Sequence, residues 1–257
     1  MSSPQMDEWN GKVALVTGAA SGIGRATASA FAERGVAVLV ADIDEAGGEA
    51  TVNSINEIGG RGEFFPLDVA SDAQVSAMVE RCVERFGGLD YALNNAGIEG
   101  DGSVGLADLA EDEWDRIMAV NLKGVWLCMK HEIPHMSQRG GGAIVNSSSV
   151  AGLRGSRASN VAYSASKYGI LGMTKTAALQ QASQNIRINA ICPGLIDTAM
   201  SRRALQKTEN VSQVASAIPL GRWGAAEDIA RAVTWLCSEQ ASYITGAALP
   251  IDGGMSA

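Results

Sequence analysis

The stretch from Val13 to Gly24 (VALVTGAASGIG) constrains the fold of this chain more than any other. A short apolar run, Val13 to Val16, reads as a buried strand. It leads into a glycine-rich turn, and Gly22 to Arg34 reads as a helix stopped by Gly35. A helix that opens straight from such a turn has first-turn N–H groups without intrahelical acceptors. With the positive end of the helix dipole they form a seat for a phosphate. Gly18 and Gly22 allow a sharp turn and a close approach of backbone to a pyrophosphate. Gly24 is expected to remove a side chain where the helix packs on the sheet. The G-x-x-x-G-x-G spacing makes the turn one residue longer than the commoner dinucleotide fingerprint, and a glycine turn can also be only a tight connection. The correctly placed strand and helix favour the phosphate seat.

The rest of the chain repeats the strand–helix alternation. Strands are expected over Lys12–Thr17, Val36–Ala41, Gly62–Leu67, Leu89–Leu93, Gly142–Ser147, Ile186–Ile191 and Ala247–Ile251. Helices are expected over Glu45–Ile58, from a Ser71/Gln74 capping box to Phe86, from Glu111 towards His131, from near Tyr163 towards Ala182, and over Ala226–Cys237. Strands that are continuously apolar and separated by helices imply a parallel sheet covered on both faces. No break in composition divides the 257 residues, so 1–257 reads as one domain. Ligands of such sheets sit beyond the carboxyl ends of the strands. Gly18–Gly24, Asp42, Asp68, Asn94–Gly97, Ser147–Ser149 and Pro193-Gly194 all fall at those ends, which points to one shared site.

A formal net charge of −8 argues against a nucleic-acid partner or an anionic membrane, either of which needs a basic face. Cys82, Cys128, Cys192 and Cys237 are widely spaced and read as reduced core thiols of a cytoplasmic protein. The first ten residues carry no basic and apolar leader pattern, and no apolar run approaches the about 20 residues of a membrane span.

Three groups of residues could carry chemistry. Asp42 ends the second strand, where a carboxylate accepts hydrogen bonds from adenosine ribose hydroxyls and repels a 2′-phosphate. Neither Ser21 nor Ile43 supplies the cation that such a phosphate needs. Tyr163 and Lys167 stand four apart at a helix start, hence on one face. A phenol is a weak acid–base catalyst near neutrality, and an adjacent ammonium favours the phenolate. His131-Glu132-Ile133-Pro134-His135 satisfies the H-E-x-x-H zinc signature. Pro134, however, is expected to end or kink the helix before the second histidine, and the chain has no third histidine. No metal site is expected.

Taken in order, Thr17-Gly18-(x)3-Gly22-Ile23-Gly24, Asn94-Asn95-Ala96-Gly97, Asn121, Ser149, Tyr163-(x)3-Lys167 and Pro193-Gly194 resemble the short-chain dehydrogenase/reductase family in its single-domain branch. The resemblance runs from about Gly11 to Gly254. It implies a Rossmann-like, doubly wound, seven-stranded parallel sheet with helices on both faces. It also implies hydride transfer between a nicotinamide cofactor and a secondary alcohol or ketone. By that resemblance Tyr163 is the general acid/base and Lys167 holds the nicotinamide ribose and lowers the pKa of the phenol. Ser149 bonds the substrate oxygen, and Asn121 supports a water linking Lys167 to solvent. The cofactor contacts it implies are Gly18, Ser21, Gly22, Ile23, Asp42, Ile43, Asp68, Val69, Asn95, Ala96, Gly97, Tyr163, Lys167, Pro193, Gly194, Ile196 and Thr198, with Asn94 on the adenosine side. With Asp42 in place the cofactor is NAD.

Ser147, Ser148 and Ser149 are consecutive, and Ser149 to Tyr163 is one residue longer than the usual interval of the family. Ser149 precedes Val150-Ala151-Gly152, as the serine of the family does, while Ser148 stays open. Residues 195–223, which include Met200, Arg202, Arg203 and Leu205, read as a substrate lid. Glu99, Arg154 and Asn160 are candidates for the pocket rim. A cyclic alcohol or ketone, steroid and sugar included, is the expected substrate class. The alternatives are an NADPH-dependent carbonyl or 3-oxoacyl reductase, a non-catalytic NAD-binding regulator, and a zinc peptidase built on HEIPH. The resemblance, with the apolar run Ala247–Ile251, also implies a homotetramer.

Overall fold

The computed structural model describes residues 8–155, 159–205, 216 and 218–257. Strands β1 (Val13–Thr17), β2 (Ala37–Asp42), β3 (Gly62–Pro66), β4 (Tyr91–Asn94), β5 (Gly142–Ser147), β6 (Ile186–Pro193) and β7 (Ala248–Ile251) form one sheet in the order β3-β2-β1-β4-β5-β6-β7. Every neighbouring pair is parallel. Among the described residues the α-helices are α1 (Gly22–Ala32), α2 (Glu45–Glu57), α3 (Asp72–Phe86), α4 (Glu111–Met118), α5 (Gly124–Gln138), α6 (Val161–Gln181), α7 (Ala199–Leu205) and α8 (Ala226–Cys237). The chain builds the parallel sheet read from the alternation, and it builds the doubly wound, seven-stranded form that the family resemblance implied.

Each strand serves two cores because successive side chains point to opposite faces. Ala14 and Val16 of β1 pack with Phe31 of α1 and Ile229 and Val233 of α8. Val13 and Leu15 pack with Val79 and Cys82 of α3 and Leu127 of α5. Trp9 lies in a terminal stretch that reads as polar, yet it is buried, its ring 6.3 Å from Phe31 and 5.3 Å from Tyr91. The run Ala247–Ile251 supplies the edge strand β7, paired with Ala190–Pro193. Its apolar character is therefore explained within the sheet and no longer argues for a partner chain.

Three local expectations need correction. The single helix expected from Glu111 is divided into α4, a π-turn at Ala119–Lys123, and α5. Pro134 neither ends nor stops α5, which continues to Gln138. The carbonyl that Pro134 leaves without a donor is that of Lys130, an exposed residue, so water can serve it. The capping box is half formed. Ser71 Oγ accepts from Gln74 N–H, but the Gln74 side chain reaches back to Asp68 N–H at 2.8 Å instead of Ser71.

At the end of the sheet away from the glycine turn, buried Asp90 accepts from Val13 N–H at 2.9 Å, Lys12 Nζ at 3.1 Å and Arg139 Nε at 2.9 Å. It thereby fixes the starts of β1 and β4 against the end of α5. Lys12 and Arg139 are partly exposed and regain water when the carboxylate is lost, but Val13 N–H does not. Asp90→Ala should therefore cost about 2–4 kcal/mol in denaturant unfolding, whereas Lys12→Ala should cost under about 1 kcal/mol.

Candidate active site

The carboxyl ends of β1 and β4 are adjacent in the sheet, and their turns are joined directly. Thr17 Oγ1 accepts from the N–H groups of Asn95 at 3.0 Å and Ala96 at 3.2 Å. Asn95 Nδ2 returns the contact to the carbonyls of Thr17 and Gly18, both at 3.3 Å. Gly18 has φ +64°, and a Cβ there would lie 2.8 Å from Ala96 Cα. Gly24 is needed for a different reason from the one expected. Its hydrogen faces the carbonyl of Gly18, so the first turn of α1 packs on the glycine turn and not on the sheet. The N-cap, Ser21, makes no side-chain capping bond, and the helix start opens on the cleft.

Asp42 closes one end. Its carboxylate accepts from Ala20 N–H at 2.8 Å and Asp44 N–H at 3.0 Å, which ties the glycine turn to the end of β2. Each carboxylate oxygen keeps a second acceptor site, and the side chain lines the cleft.

The cleft has a volume of about 720 Å³. Gly18, Ser21, Gly22 and Ile23 line it from the glycine turn, Asp42 and Ile43 from the end of β2, and Asp68 and Val69 from the end of β3. Asn95, Ala96 and Gly97 line it beyond β4, and Pro193, Gly194, Ile196 and Thr198 beyond β6. Ser149, Tyr163 and Lys167 form the wall between them. Asn94 does not reach the cleft; it is buried and bonded to Glu132 and Asn146. Asn160 is not a rim residue but the buried N-cap of α6, and Arg154 is exposed and outside the lining. Within the segment read as a lid, α7 brings Met200 and Arg203 to the cleft; residues 206–215 and 217 and the Leu205 side chain lie outside the described residues.

The two serine hydroxyls are placed differently, although both residues line the cleft. Ser148 Oγ donates to the carbonyl of Lys167 at 2.9 Å and is turned into the protein. Ser149 Oγ accepts from Ala151 N–H at 3.1 Å, and the Ser149 hydroxyl acts to lower the pKa of the Tyr163 phenol. Lys167 is buried, donates from Nζ to the carbonyl of Ser147 at 2.8 Å, and stands 5.4 Å from the centre of the Tyr163 ring. Burial pushes Lys167 down to about 8. Burial also pushes the Tyr163 phenol up to about 12; the Ser149 hydroxyl opposes the rise and Glu99 adds to it. The expected lowering of this phenol by Lys167 is not among these causes, and its ammonium is turned to Ser147.

Asn121 is fully buried inside the π-turn. Its amide accepts from Ile98 N–H and donates to Ile98 C=O, both at 2.8 Å, and donates to Ser166 Oγ at 3.2 Å. It therefore pins the chain beside Gly97 to the turn of α6 that carries Lys167. The π-turn also brings Val120 to the cleft, and Arg116 of α4 joins it. The sequence gives no sign of either, because a helix with one inserted residue has no fixed hydrophobic period.

A family model described as enoyl-(acyl carrier protein) reductase matches residues 18–256. The chain is 40% identical to the 3-oxoacyl-[acyl-carrier-protein] reductase FabG of Thermotoga maritima, over 95% of this chain and 98% of that protein. It is 39% identical to the cyclohexanol dehydrogenase of Acinetobacter sp., over 98% of each. The solved structure of levodione reductase superposes with a TM-score of 0.92 at 36% identity, over 96% of this chain and 98% of that one. The chain belongs to the short-chain dehydrogenase/reductase family. It is an oxidoreductase of that family and works with a nicotinamide cofactor.

Within this short-chain dehydrogenase/reductase the HEIPH segment has another use. His131 Nε2 is 2.9 Å from Asp72 Oδ1 on α3, while Glu132 is buried in the core. Among the described residues no group of three His, Cys, Asp or Glu is placed to hold a metal ion.

A buried ammonium with a lowered pKa costs stability wherever it is charged. The unfolded lysine keeps its proton up to 10.5 and the folded one only to about 8, so the penalty is complete below pH 8 and fades as pH rises towards 10.5. Lys167→Met should raise the unfolding free energy at pH 7 by about 1–3 kcal/mol, measured without added cofactor. The gain over wild type should shrink between pH 8 and 10.5.

Proposed function

We propose that the protein is an NAD(H)-dependent dehydrogenase and ketone reductase acting on a secondary alcohol, with a cyclic alcohol or ketone as substrate class. The observation that carries the proposal is the side-by-side placement of Ser149, Tyr163 and Lys167 in a cleft whose far end carries Asp42. A dinucleotide fits this cleft. The uncapped start of α1 faces it, and the turn leaves no room for a Cβ at Gly18 or Gly24. When bound, the nicotinamide supplies the acceptor or donor of hydride.

In this reading Tyr163 gives its phenolic proton to the substrate oxygen during reduction and accepts the alcohol proton during oxidation. Ser149 has its acceptor side engaged by Ala151 N–H, so its own O–H is free to donate to the substrate oxygen or to the phenolate. Lys167 binds the nicotinamide ribose and supplies positive charge beside the phenol. Asn121 holds Ile98 and Ser166 around Lys167 and supports a water that relays protons to solvent. Asp42 takes the adenosine ribose hydroxyls, and Met200 and Arg203 of α7 stand at the substrate end. The whole chain acts as one catalytic domain in a cytoplasmic homotetramer. The exposed Trp126, Tyr168 and Leu179 on α5 and α6 support an assembly.

A second reading, an NADPH-dependent 3-oxoacyl reductase, is favoured by the likeness to FabG. Asp42 favours the first reading, because its carboxylate would repel a 2′-phosphate carrying about −1.5 to −2 charges. Cyclohexanol with NAD+ and a 3-oxoacyl thioester with NADPH, each followed by NAD(P)H absorbance, decide between them. Activity confined to the thioester overturns the proposal.

Tyr163→Phe removes the proton carrier and should lower kcat by about 10²–10⁴-fold or more, with cofactor Kd within about twofold of wild type. Wild type should prefer NAD over NADP by at least about tenfold in kcat/KM, the worth of one charge-assisted hydrogen bond. Asp42→Ser should narrow that ratio, and Asp42→Ser with Ile43→Arg should invert it, since a guanidinium can grip the phosphate with two hydrogen bonds. Asp42 also holds Ala20 and Asp44, so the readout is the ratio and not the absolute rate.

A further inference from the structure

Glu132 is fully buried on α5, and its carboxyl meets Asn94 at the end of β4. Asn94 stands opposite Asn146 in the β4–β5 register. Asn94 Nδ2 donates to Glu132 Oε2 and to Asn146 Oδ1, both at 3.1 Å. Asn146 Nδ2 donates to Thr174 Oγ1 of α6 at 3.0 Å and to Met129 Sδ of α5 at 3.3 Å. This chain of bonds leaves two buried oxygens without a donor, Asn94 Oδ1 and Glu132 Oε1. They belong to the two groups already joined through their other atoms. Were Glu132 ionised, it would hold a full charge in the core against a single amide N–H and leave both oxygens orphaned, a costly arrangement. One proton on Glu132 Oε1 resolves both defects. The acid O–H serves the amide oxygen while the amide N–H serves the acid oxygen, and the ring of hydrogen bonds closes.

We propose that Glu132 is a neutral carboxylic acid in the folded protein, and that its paired hydrogen bonds with Asn94 make it a positioning residue for the strand ends that carry the cleft. Beyond Asn94 the chain runs into Asn95–Gly97, which line the cleft. Beyond Asn146 it runs into Ser147, whose carbonyl receives Lys167 Nζ. The acid–amide pair braces both exits from below.

The surroundings agree with a neutral acid. Burial raises Glu132 from its ordinary 4.5 to about 7, and the Asn94 N–H opposes the rise. The titratable groups that sense it are the thiols of Cys82 on α3 and Cys128 on α5, both pushed up by burial and therefore uncharged. Through Asn94 it is linked to the uncharged Asn146 of β5 and Thr174 of α6. Below pH 4.5 folded and unfolded chains both keep the proton. Between 4.5 and about 7 the unfolded chain ionises first, so the contribution of Glu132 to stability falls as pH rises and is constant above about 7.

The test is denaturant unfolding of wild type and Glu132→Gln from pH 4.5 to 8, taken as a difference so that other groups cancel. Gln keeps both hydrogen bonds and cannot ionise. The unfolding constant of wild type should rise relative to the variant by about tenfold per pH unit up to about 7 and then level off. Infrared spectra of wild type at pH 5.5 should contain a protonated-carboxyl C=O band that is missing in Glu132→Gln. Positioning is read from NAD+ affinity. In wild type the Kd should rise with pH through 7; in Glu132→Gln that rise should vanish, and Glu132→Leu should bind NAD+ several-fold more weakly at every pH. A flat stability difference or an absent band overturns the neutral acid, and an unchanged affinity in Glu132→Leu overturns the positioning role. Should the Leu variant not fold, the disappearance of the pH-dependent Kd in Glu132→Gln decides the latter. The stability and infrared readings do not depend on the function proposed above, and absence of NAD+ binding by wild type counts against that function alone.

Discussion

Gly18 lies so close to the turn after β4 that any side chain would enter the backbone of Ala96. Thr17 and Asn95 lock this approach with hydrogen bonds in both directions. β1 and β4 are neighbours in space and distant in sequence, and the chain winds outward from them in opposite directions. Such a switch point opens a crevice at the carboxyl edge of a parallel sheet. The width of that crevice here is set by how closely two turns approach, and the absence of one Cβ governs that approach. Asp42, Ser149 and Lys167 are arranged around this fixed edge.

The charges around the cleft are handled in two ways. At the Asp42 end the carboxylate is anchored by two backbone N–H groups and keeps spare acceptor capacity, so it is rigid and still able to bind. At the other end the groups are held against their solution preferences. Burial lowers Lys167 and raises Tyr163, and the Ser149 hydroxyl offsets part of the second effect. A lysine ammonium facing one carbonyl in the interior is a poor contributor to folding. The scaffold that tolerates this tension is the pair of cores on either side of the sheet, assembled mainly from aliphatic side chains.

Much of this was legible in the sequence, for physical reasons. Buried parallel strands must be apolar along their length, so β1, β2 and β5 announced themselves as unbroken runs. The residues at their carboxyl ends then fell into the cleft without any further assumption. Tyr163 and Lys167 share a face through helical spacing alone. What the sequence could not convey was the direction of a short polar side chain. Asn94 and Asn95 are identical neighbours, yet strand alternation sends the first into the core and the second to the glycine turn. Ser148 and Ser149 divide in the same way, one towards a backbone carbonyl and one towards Tyr163. Pro134 misled because its cost depends on whether the freed carbonyl meets water, which is a matter of which face of α5 looks outward.

The π-turn at Ala119–Lys123 joins two helices that answer to different neighbours. In a regular helix each residue advances about 100°, so the seat of Asn121 would be fixed by whatever α4 and α5 require of their own faces. One additional residue in the turn breaks that linkage. α4 can present Arg116 to the cleft and α5 can bury Met129 and Glu132, while Asn121 is aimed independently at Ile98 and Ser166. The insertion works as a phase adjuster between two rigid rods. Shortening the segment by one residue would restore a smoother helix and rotate the two rods against each other by that same angle, leaving either the core or the amide without its proper orientation.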